Sequence, residues 1–178
     1  VDWPVWGDGA LRPVLGGDAE TYVVFHDGTA FLQTDHEAPR KRVLACPVER
    51  FREGDLAVAD CREVLPEHEA TLQSFAPTPG HLVAHYQRDA HSELAVFDRD
   101  GDHERDLALP DYVSVSQLTR NPDAEELCYQ VTGFDHPPEV VRADPSTGES
   151  RRLQRVDVDV PDDLVVDQHV VESTDGAE

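Results

Sequence analysis

The sequence predicts an all-β protein, and three observations support this prediction. Short segments rich in Val, Leu, Tyr and Phe recur along the chain, with turn-forming residues between them. No segment of about a dozen residues shows the periodicity of an amphipathic helix. Strand groups also recur at similar intervals, since 49 positions separate Tyr22 from Thr71 and 41 separate Thr71 from Tyr112. A repeat of about 40–50 residues with four strands each is typical of propeller blades. We therefore predict a partial β-propeller of about three four-stranded antiparallel blades.

Ten segments have the composition of strands. They are Tyr22–His26, Ala30–Thr34, Arg42–Pro47, Thr71–Ala76, Leu82–Gln87, Glu93–Asp98, Tyr112–Gln117, Glu126–Thr132, Glu139–Ala143 and Leu164–Glu172. Turn sequences join several of them: Asp27-Gly28 indicates a two-residue hairpin, and Asp98–Gly101 and Asp144–Gly148 indicate further turns. The stretch Pro47–Ala59 fits no strand and is interpreted as an insertion.

The strand groups predict one unit over residues 1–178. Its blades would span about 21–64, 71–109 and 112–153, and a final strand would span 164–172. A β-sandwich with long connections is the structural alternative.

Charge restricts the partners of this chain. The formal net charge of −22 arises from 37 acidic and 15 basic residues, and Lys41 is the only lysine. Such a charge repels phosphate backbones and anionic lipids, so nucleic acid and membrane surfaces are disfavoured as partners. At about 1 M salt the Debye length falls to roughly 3 Å and the self-repulsion largely disappears. Acidic excess with lysine depletion predicts a halophilic protein, and an ordinary acidic cytosolic protein is the alternative.

The remaining composition favours a reducing cytoplasm. Cys46, Cys61 and Cys128 form no CxxC pair, which argues against a zinc or redox motif, and Cys46 and Cys128 are predicted to be buried in strands. No apolar run approaches the roughly 18 residues that span a membrane, and Val1–Pro4 lacks the features of a signal peptide. The absence of methionine predicts a piece of a longer chain.

Four patterns could suggest binding sites, and each has a simpler interpretation. His81 and His85 have HxxxH spacing, but on a strand these positions lie about 13 Å apart, too far for one metal ion. The Asp98–Asp102 run does not fit an EF-hand register and predicts a solvated turn. The glycines near residues 7–9 and 16–17 lack the Walker lysine spacing. Trp3 and Trp6 are expected to anchor the N-terminal segment.

Five short motifs, in order along the chain, resemble those of the prolyl oligopeptidase family of serine peptidases. They are Thr34-Asp35 with Ala38–Val43, Leu65–Glu67, Tyr86–Leu94, Tyr129–Phe134 with Pro138, and Ser173–Gly176. Gly133 departs from the pattern, because serine is usual there. The resemblance extends from about Thr21 to Glu178.

The resemblance implies the last three or so blades of a seven-bladed propeller that screens the active site of an α/β-hydrolase domain. It implies that the parent enzyme cleaves short proline-containing peptides, and that the catalytic domain and the remaining blades are the partners of this chain. The family's catalytic residues lie beyond Ser173–Gly176, and no serine here has glycine at both flanking positions of a nucleophile elbow. We therefore assign no catalytic, cofactor-binding or metal-binding residue and no cofactor, and expect this chain alone to be inactive.

Two alternatives have other functions. The chain could be a free-standing interaction module derived from a propeller, or a non-functional remnant. Because three blades cannot close a ring, such a module is expected to expose an apolar blade face at each end and to self-associate or bind a partner there.

Overall fold

The computed structural model describes residues 3–4, 11–12, 15, 19–53, 56–161 and 164–169. Within these ranges it contains three four-stranded antiparallel sheets and one short two-stranded sheet, β1 (Trp3–Pro4) with β2 (Leu11–Arg12). Each four-stranded sheet pairs its strands in chain order, which is the up-and-down arrangement of a propeller blade. The predicted fold class, a partial β-propeller, is confirmed.

The three sheets are called blades 1, 2 and 3. Blade 1 comprises β3 (Thr21–His26), β4 (Thr29–Thr34), β5 (Arg42–Pro47) and β6 (Arg62–Leu65). Blade 2 comprises β7 (Thr71–Pro77), β8 (His81–Arg88), β9 (His91–Asp98) and β10 (His103–Leu107). Blade 3 comprises β11 (Ser114–Arg120), β12 (Leu127–Thr132), β13 (Glu139–Ala143) and β14 (Ser150–Arg155).

The fourth strand of each blade was not located from the sequence. These strands, β6, β10 and β14, lie at the outer edge of their sheets. β10 and β14 carry mostly polar side chains, and β6 is only four residues long. All six residues of β14 are exposed, so no alternation of apolar and polar residues marks it. The polar character fits an edge strand, whose free backbone groups face water.

One further expectation differs from the structure. The predicted final strand 164–172 is wrong over 164–169, which carry no strand, and its remaining residues lie outside the described ranges. Among the described residues no strand pairs with this segment, and Val165 is exposed. Within the predicted insertion, a short helix, α1 (Val48–Glu53), and a 3-10 turn at Val58–Asp60 connect β5 to β6.

The predicted Asp27-Gly28 hairpin is confirmed. His26 pairs with Thr29 across a two-residue loop, and both loop residues have positive φ, as a type I′ turn requires. Blade 2 has a similar turn between β8 and β9, where Asp89 and Ala90 also have positive φ.

Apolar clusters join adjacent blades through opposite faces of blade 2. Strand β8 directs Ala84 toward blade 1, and Val83, one position earlier, toward blade 3, because successive side chains of a strand alternate between faces. The first cluster includes Phe31 and Leu65 from blade 1, and the second includes Tyr129 from blade 3. A third cluster lies on the other face of blade 1, beneath the 48–60 segment.

Blade 3 presents a mixed rather than an apolar face away from blade 2. Along β12, Tyr129 is buried toward blade 2, whereas Cys128 and Gln130 lie half-buried on the opposite side. The predictions of a buried Cys128 and of an apolar face at this end are therefore wrong. Among the described residues, no element packs on this face strongly enough to bury it.

Candidate functional surface

The direction of the strands gives the blades two distinct ends. The hairpins between first and second strands lie at one end, here called the hairpin end, together with the turns between third and fourth strands. The connections from one blade to the next, 66–70 and 108–113, lie at the opposite end, here called the connection end. The chain also leaves blade 3 at the connection end, after Arg155.

The first strands of the three blades converge on a common surface, here called the inner surface. Two adjoining clefts of about 320 and 370 Å³ run along it. Tyr22 of β3, Phe75 of β7 and Leu118 of β11 line both clefts. Tyr22 is 60% exposed, so its ring is free to contact a molecule passing along this surface. In a propeller, the surface shared by the first strands borders the central channel.

Arginines mark the hairpin end of the inner surface. Arg120 of blade 3 reaches blade 1, where its Nη2 donates to the Phe25 carbonyl at 3.0 Å and its Nη1 lies 3.2 Å from His26 Nδ1. Arg99 of blade 2 donates to the Thr78 carbonyl at 2.9 Å and stacks on Phe31, with Cζ 5.0 Å from the ring centroid. Burial lowers the pKa of both guanidinium groups, but arginine keeps its charge at any ordinary pH. Two guanidinium groups thus lie at this end, within reach of the carboxylates of Asp27 and Glu125.

A carboxylate clamps blades 2 and 3 together beside these arginines. Glu125, in the β11–β12 hairpin, accepts hydrogen bonds from Thr78 Oγ1 at 2.6 Å and from the Gly80 amide. His81 Nδ1 lies 2.9 Å from the same carboxylate. Burial alone would raise the pKa of Glu125, but these hydrogen bonds outweigh it and hold the pKa below its ordinary value. The ionised carboxylate of Glu125 therefore holds the β7–β8 hairpin of blade 2 against blade 3.

A buried histidine also lies at the junction of blades 2 and 3. His85 Nε2 is 2.8 Å from Ser92 Oγ, which accepts the Val115 amide at 2.8 Å. Ser74 Oγ lies 3.4 Å from the other ring nitrogen. Burial lowers the pKa of His85 to about 4, so the ring is neutral at neutral pH.

The Ser92–His85 pair is not arranged as a catalytic triad. In a triad a carboxylate would lie beside the second ring nitrogen of the histidine, but next to His85 Nδ1 lies the hydroxyl of Ser74. A histidine with a pKa of about 4 is also a weak general base at neutral pH. Ser92 is buried, and its oxygen already accepts the Val115 amide. These contacts give the pair a structural role between the blades.

A cleft of about 970 Å³ opens at the connection end of blade 2. His68, His91 and Tyr112 are among the side chains that line it. Arg88 at its margin pairs with Glu69 and Glu93, each at 3.0 Å. Gln168, from the segment that follows blade 3, closes one side by donating to the Asp89 carbonyl at 2.6 Å. This cleft therefore lies beside the path by which the chain leaves the propeller.

The predicted site interpretations have these outcomes. His81 contacts Glu125 and His85 contacts Ser92, so the two histidines make different contacts at the junction of blades 2 and 3. Within the described ranges, no group of three metal-ligating side chains occurs. Asp98 Oδ1 accepts the amides of Asp100, Gly101 and Asp102, a turn arrangement that lowers the pKa of Asp98. In the part of the chain that the structure describes, no helix has the length and apolarity to cross a membrane.

Several predicted features lie outside the described residues. They are the side chains of Trp3 and Trp6, the glycines at 7–9 and 16–17, and the Ser173–Gly176 motif. Conversely, sequence reasoning missed Glu125, Arg99 and Arg120. Each acts on residues of another blade, and no local motif marks such long-range contacts.

Comparisons with known proteins agree with this architecture. Residues 8–156 match the family model described as the prolyl oligopeptidase N-terminal β-propeller domain. The prolyl endopeptidase of Elizabethkingia meningoseptica is 26% identical over 165 residues, which cover 92% of this chain and 23% of the relative. That of Elizabethkingia miricola is 25% identical over the same coverage. The chain thus spans about a quarter of the length of these relatives.

Solved structures give the same result. A prolyl endopeptidase studied for the role of inter-domain dynamics in catalysis and specificity superposes with a TM-score of 0.84 at 30% identity, covering 97% of this chain and 25% of that chain. Prolyl oligopeptidase B of Galerina marginata, bound to a 25mer macrocyclization substrate, superposes with a TM-score of 0.74 at 22% identity, covering 94% and 24%. Together with the family match over 8–156, these results show that the chain belongs to the prolyl oligopeptidase family, as part of its N-terminal β-propeller domain.

Proposed function

We propose that this chain forms part of a propeller that gates access of short proline-containing peptides to the active site of a prolyl-oligopeptidase-like serine peptidase. The observation that carries the proposal is the match of residues 8–156 to the propeller domain of that family. The two relatives from Elizabethkingia that match this chain are prolyl endopeptidases.

The inner surface supplies the physical basis for a gate. Tyr22, Phe75 and Leu118 border two small clefts, so an extended peptide would contact them whereas a folded protein would not enter. The described residues hold no serine, histidine and carboxylate in triad geometry, so the proposal leaves the chemistry to a catalytic domain.

The connection end is proposed to face that catalytic domain. The chain leaves blade 3 at this end, and Gln168 holds the outgoing segment against blade 2. The exposed charged and aromatic groups around the 970 Å³ cleft would then lie at a domain interface. Such interfaces within one chain are commonly polar and allow relative motion of the domains.

A high-salt cytoplasm is proposed as the site of action. The net charge of −22 and the single lysine support a halophilic origin, and three free cysteines are compatible with a reducing compartment. In this proposal, raising KCl from about 0.1 M to about 2 M increases the free energy of unfolding, because screening removes the self-repulsion of the carboxylates.

Peptide-length selectivity tests the gate. In the peptidase whose coding sequence includes this chain, we would compare hydrolysis of a short proline-containing chromogenic peptide with that of a peptide of about 25 residues. Tyr22→Ala is expected to raise the rate for the long peptide while leaving the short one within about twofold. The control is Leu153→Ala, which removes a similarly exposed apolar side chain from outer strand β14. Equal effects of both substitutions, or no peptidase activity at all, would contradict the proposal.

A free-standing interaction module is the second candidate. The half-buried, mixed face of blade 3 offers a surface for another blade or a partner, although it is less apolar than expected. Sedimentation of the chain in concentrated KCl distinguishes the two candidates. Self-association would favour the module, and a folded monomer would count against it.

A further inference from the structure

Cys46 and Cys61 lie side by side on blade 1. The pairing of β5 with β6 ends at Ala45 and Arg62, so these two cysteines occupy the next cross-strand position. The Cα atoms of antiparallel neighbours lie about 4.5–5.5 Å apart, which is within the roughly 4.4–6.8 Å found in disulfides. Both side chains belong to the cluster beneath the 48–60 segment.

The two thiols differ in accessibility and acidity. Cys46 is only 1% exposed, whereas Cys61 is partly exposed. A hydrogen bond from Cys46 lowers the pKa of Cys61, and the same bond together with burial raises the pKa of Cys46. Because the thiolate is the reactive form, Cys61 is the attacking sulfur and Cys46 the resolving one. As a thiol, Cys61 points at the Ala57 carbonyl, with Sγ 3.8 Å from the oxygen.

We propose that Cys46 and Cys61 form a reversible intramolecular disulfide when the chain meets an oxidised small-molecule disulfide. The Cys61 thiolate attacks one sulfur of that molecule, forming a mixed disulfide and releasing one thiolate. Cys46 then gives its proton to water and attacks Cys61 Sγ, which releases the second thiolate. The two protein thiols are oxidised, and the external disulfide is reduced to two thiols.

The bond would fasten the insertion between β5 and β6. It closes a short loop that contains α1 and the 3-10 turn, and Leu56 of this segment is buried against blade 1. Cross-linking a loop of about 15 residues restricts the unfolded chain. The oxidised protein should therefore unfold at a higher temperature. Structural differences from the reduced protein should be confined to the face of blade 1 that points away from blade 2.

Cys128 provides an internal control. It lies on β12 of blade 3, outside the cluster that holds the other two cysteines. Trypsin cleaves after Arg50, between Cys46 and Cys61, so a disulfide joins two separate peptides, 43–50 and 53–62. Peptide mapping under non-reducing conditions can thus identify the bond directly.

The test uses the folded chain in a buffer of bis(2-hydroxyethyl) disulfide and 2-mercaptoethanol, an uncharged couple that the acidic surface does not repel. After blocking of free thiols, the expected product links peptides 43–50 and 53–62, leaves Cys128 free and reverts with excess thiol. The Cys128→Ser variant should give the same product, with an unfolding midpoint about 5 °C or more above that of its reduced form. Cys46→Ser should stop at a mixed disulfide on Cys61.

Three results would overturn the proposal. They are three free thiols after equilibration with the oxidised couple, a mixed disulfide on Cys61 that persists although Cys46 is present, and a cross-link that involves Cys128. The Cys128→Ser result decides the matter even if Cys46→Ser fails to fold, because both proposed partners remain intact in it.

Discussion

The two inter-blade junctions are held by different kinds of polar contact. Between blades 1 and 2, Gln33 donates to the Leu72 carbonyl at 3.1 Å, and Arg62 donates to the carbonyls of Arg99 and Asp100. Between blades 2 and 3, the contacts run through His85 and Glu125. Between about pH 4 and pH 9 an amide stays neutral and a guanidinium stays charged. Histidine and glutamate can gain or lose a proton in this range, so the stability of their contacts depends on pH.

The comparison shows that two junctions between similar blades can differ in how strongly their stability depends on pH. Both junctions have an apolar cluster, so burial of apolar area stabilises both. The junction of blades 2 and 3 adds two buried or partly buried titratable groups, His85 and Glu125. On blade 1, His26 is also buried with a lowered pKa, and it contacts Arg120 and Thr78. We therefore expect acid to weaken the junction of blades 2 and 3 most, because two titratable groups hold it together.

The largest expected effect comes from adding a side-chain atom where the backbones of blades 1 and 2 are in close contact. A Cβ on Gly101 would lie 1.9 Å from the Val64 carbonyl oxygen, and the residue has φ +98°. Gly101→Ala should lower the free energy of unfolding by about 3 kcal/mol, because the backbone must move and the conformation is strained for alanine. Chemical unfolding at neutral pH measures this loss.

Gly28→Ala is the matched control for Gly101→Ala. Gly28 also has positive φ, +70°, but nothing lies within 4 Å of its Cβ position. Gly28→Ala should lower the free energy of unfolding by only about 1 kcal/mol, the strain of an alanine in the left-handed conformation. Equal losses for the two variants would show that the contact of Gly101 with blade 1 is not a constraint.

Acid should weaken the junction of blades 2 and 3 through His85. Its pKa is lowered to about 4 in the folded chain, below the ordinary 6.5, so protons favour the unfolded state. Its contribution is complete above about pH 6.5 and is lost as the pH falls toward 4, with about 2 kcal/mol lost between about pH 7 and pH 5. Urea unfolding at these two pH values measures the loss.

The His85→Gln variant isolates this effect. Glutamine can still hydrogen-bond to Ser92 but does not titrate, so the pH dependence should become shallower by about 2 kcal/mol over the same range. His169→Gln, at an exposed position, should leave it unchanged. An unchanged slope in His85→Gln would mean that this ring is not the source of the acid sensitivity.

Glu125→Ala should give a smaller loss at neutral pH. It removes the acceptor for Thr78, Gly80 and His81 at the hairpin end. We expect a loss of about 1–2 kcal/mol, because hydrogen bonds to a charged group are stronger than neutral ones and the site is partly solvated. Since the pKa of Glu125 is lowered on folding, its contribution is present above the unfolded pKa and is lost as the pH falls through the folded pKa.

Glu126→Ala is the control for the clamp. Its carboxylate pairs with Arg142 inside blade 3 and does not bridge two blades. Such a surface pair contributes about 0–1 kcal/mol. A loss for Glu126→Ala equal to that for Glu125→Ala would argue against a specific inter-blade clamp.

The smallest effect should come from a turn that touches neither junction. Ala90 has φ +65° at the second position of the β8–β9 turn, where blade 1 has Gly28. Ala90→Gly should raise the free energy of unfolding by about 0.5–1 kcal/mol, because glycine adopts this conformation without strain. Thermal unfolding would detect the gain, and destabilisation would contradict the type I′ assignment.

The sequence predicts the inner parts of each blade better than their outer edges. Strands such as β8 and β9 combine buried apolar residues with clear turns, so composition locates them. Strand β14, Ser150–Arg155, carries no apolar alternation, and only pairing with β13 establishes it. The helix α1 is too short for periodicity to reveal.

For the candidate surface, too, the sequence predicted the local features and missed the long-range contacts. The family motifs predicted the propeller, but the roles of Glu125 and Arg120 depend on residues that are 45 and 94 positions away in sequence. The cross-strand position of Cys46 and Cys61 depends on the register of β5 and β6, which sequence spacing alone does not fix. Long-range geometry therefore supplied what local patterns could not.

The most direct test of the gating account is the coding sequence on both sides of this segment. The account predicts a continuous reading frame with about four further blades upstream and a Gly-x-Ser-x-Gly nucleophile elbow in an α/β-hydrolase domain downstream. Stop codons or unrelated sequence on both sides would contradict it, and would direct the search from peptide substrates to binding partners of a free-standing module.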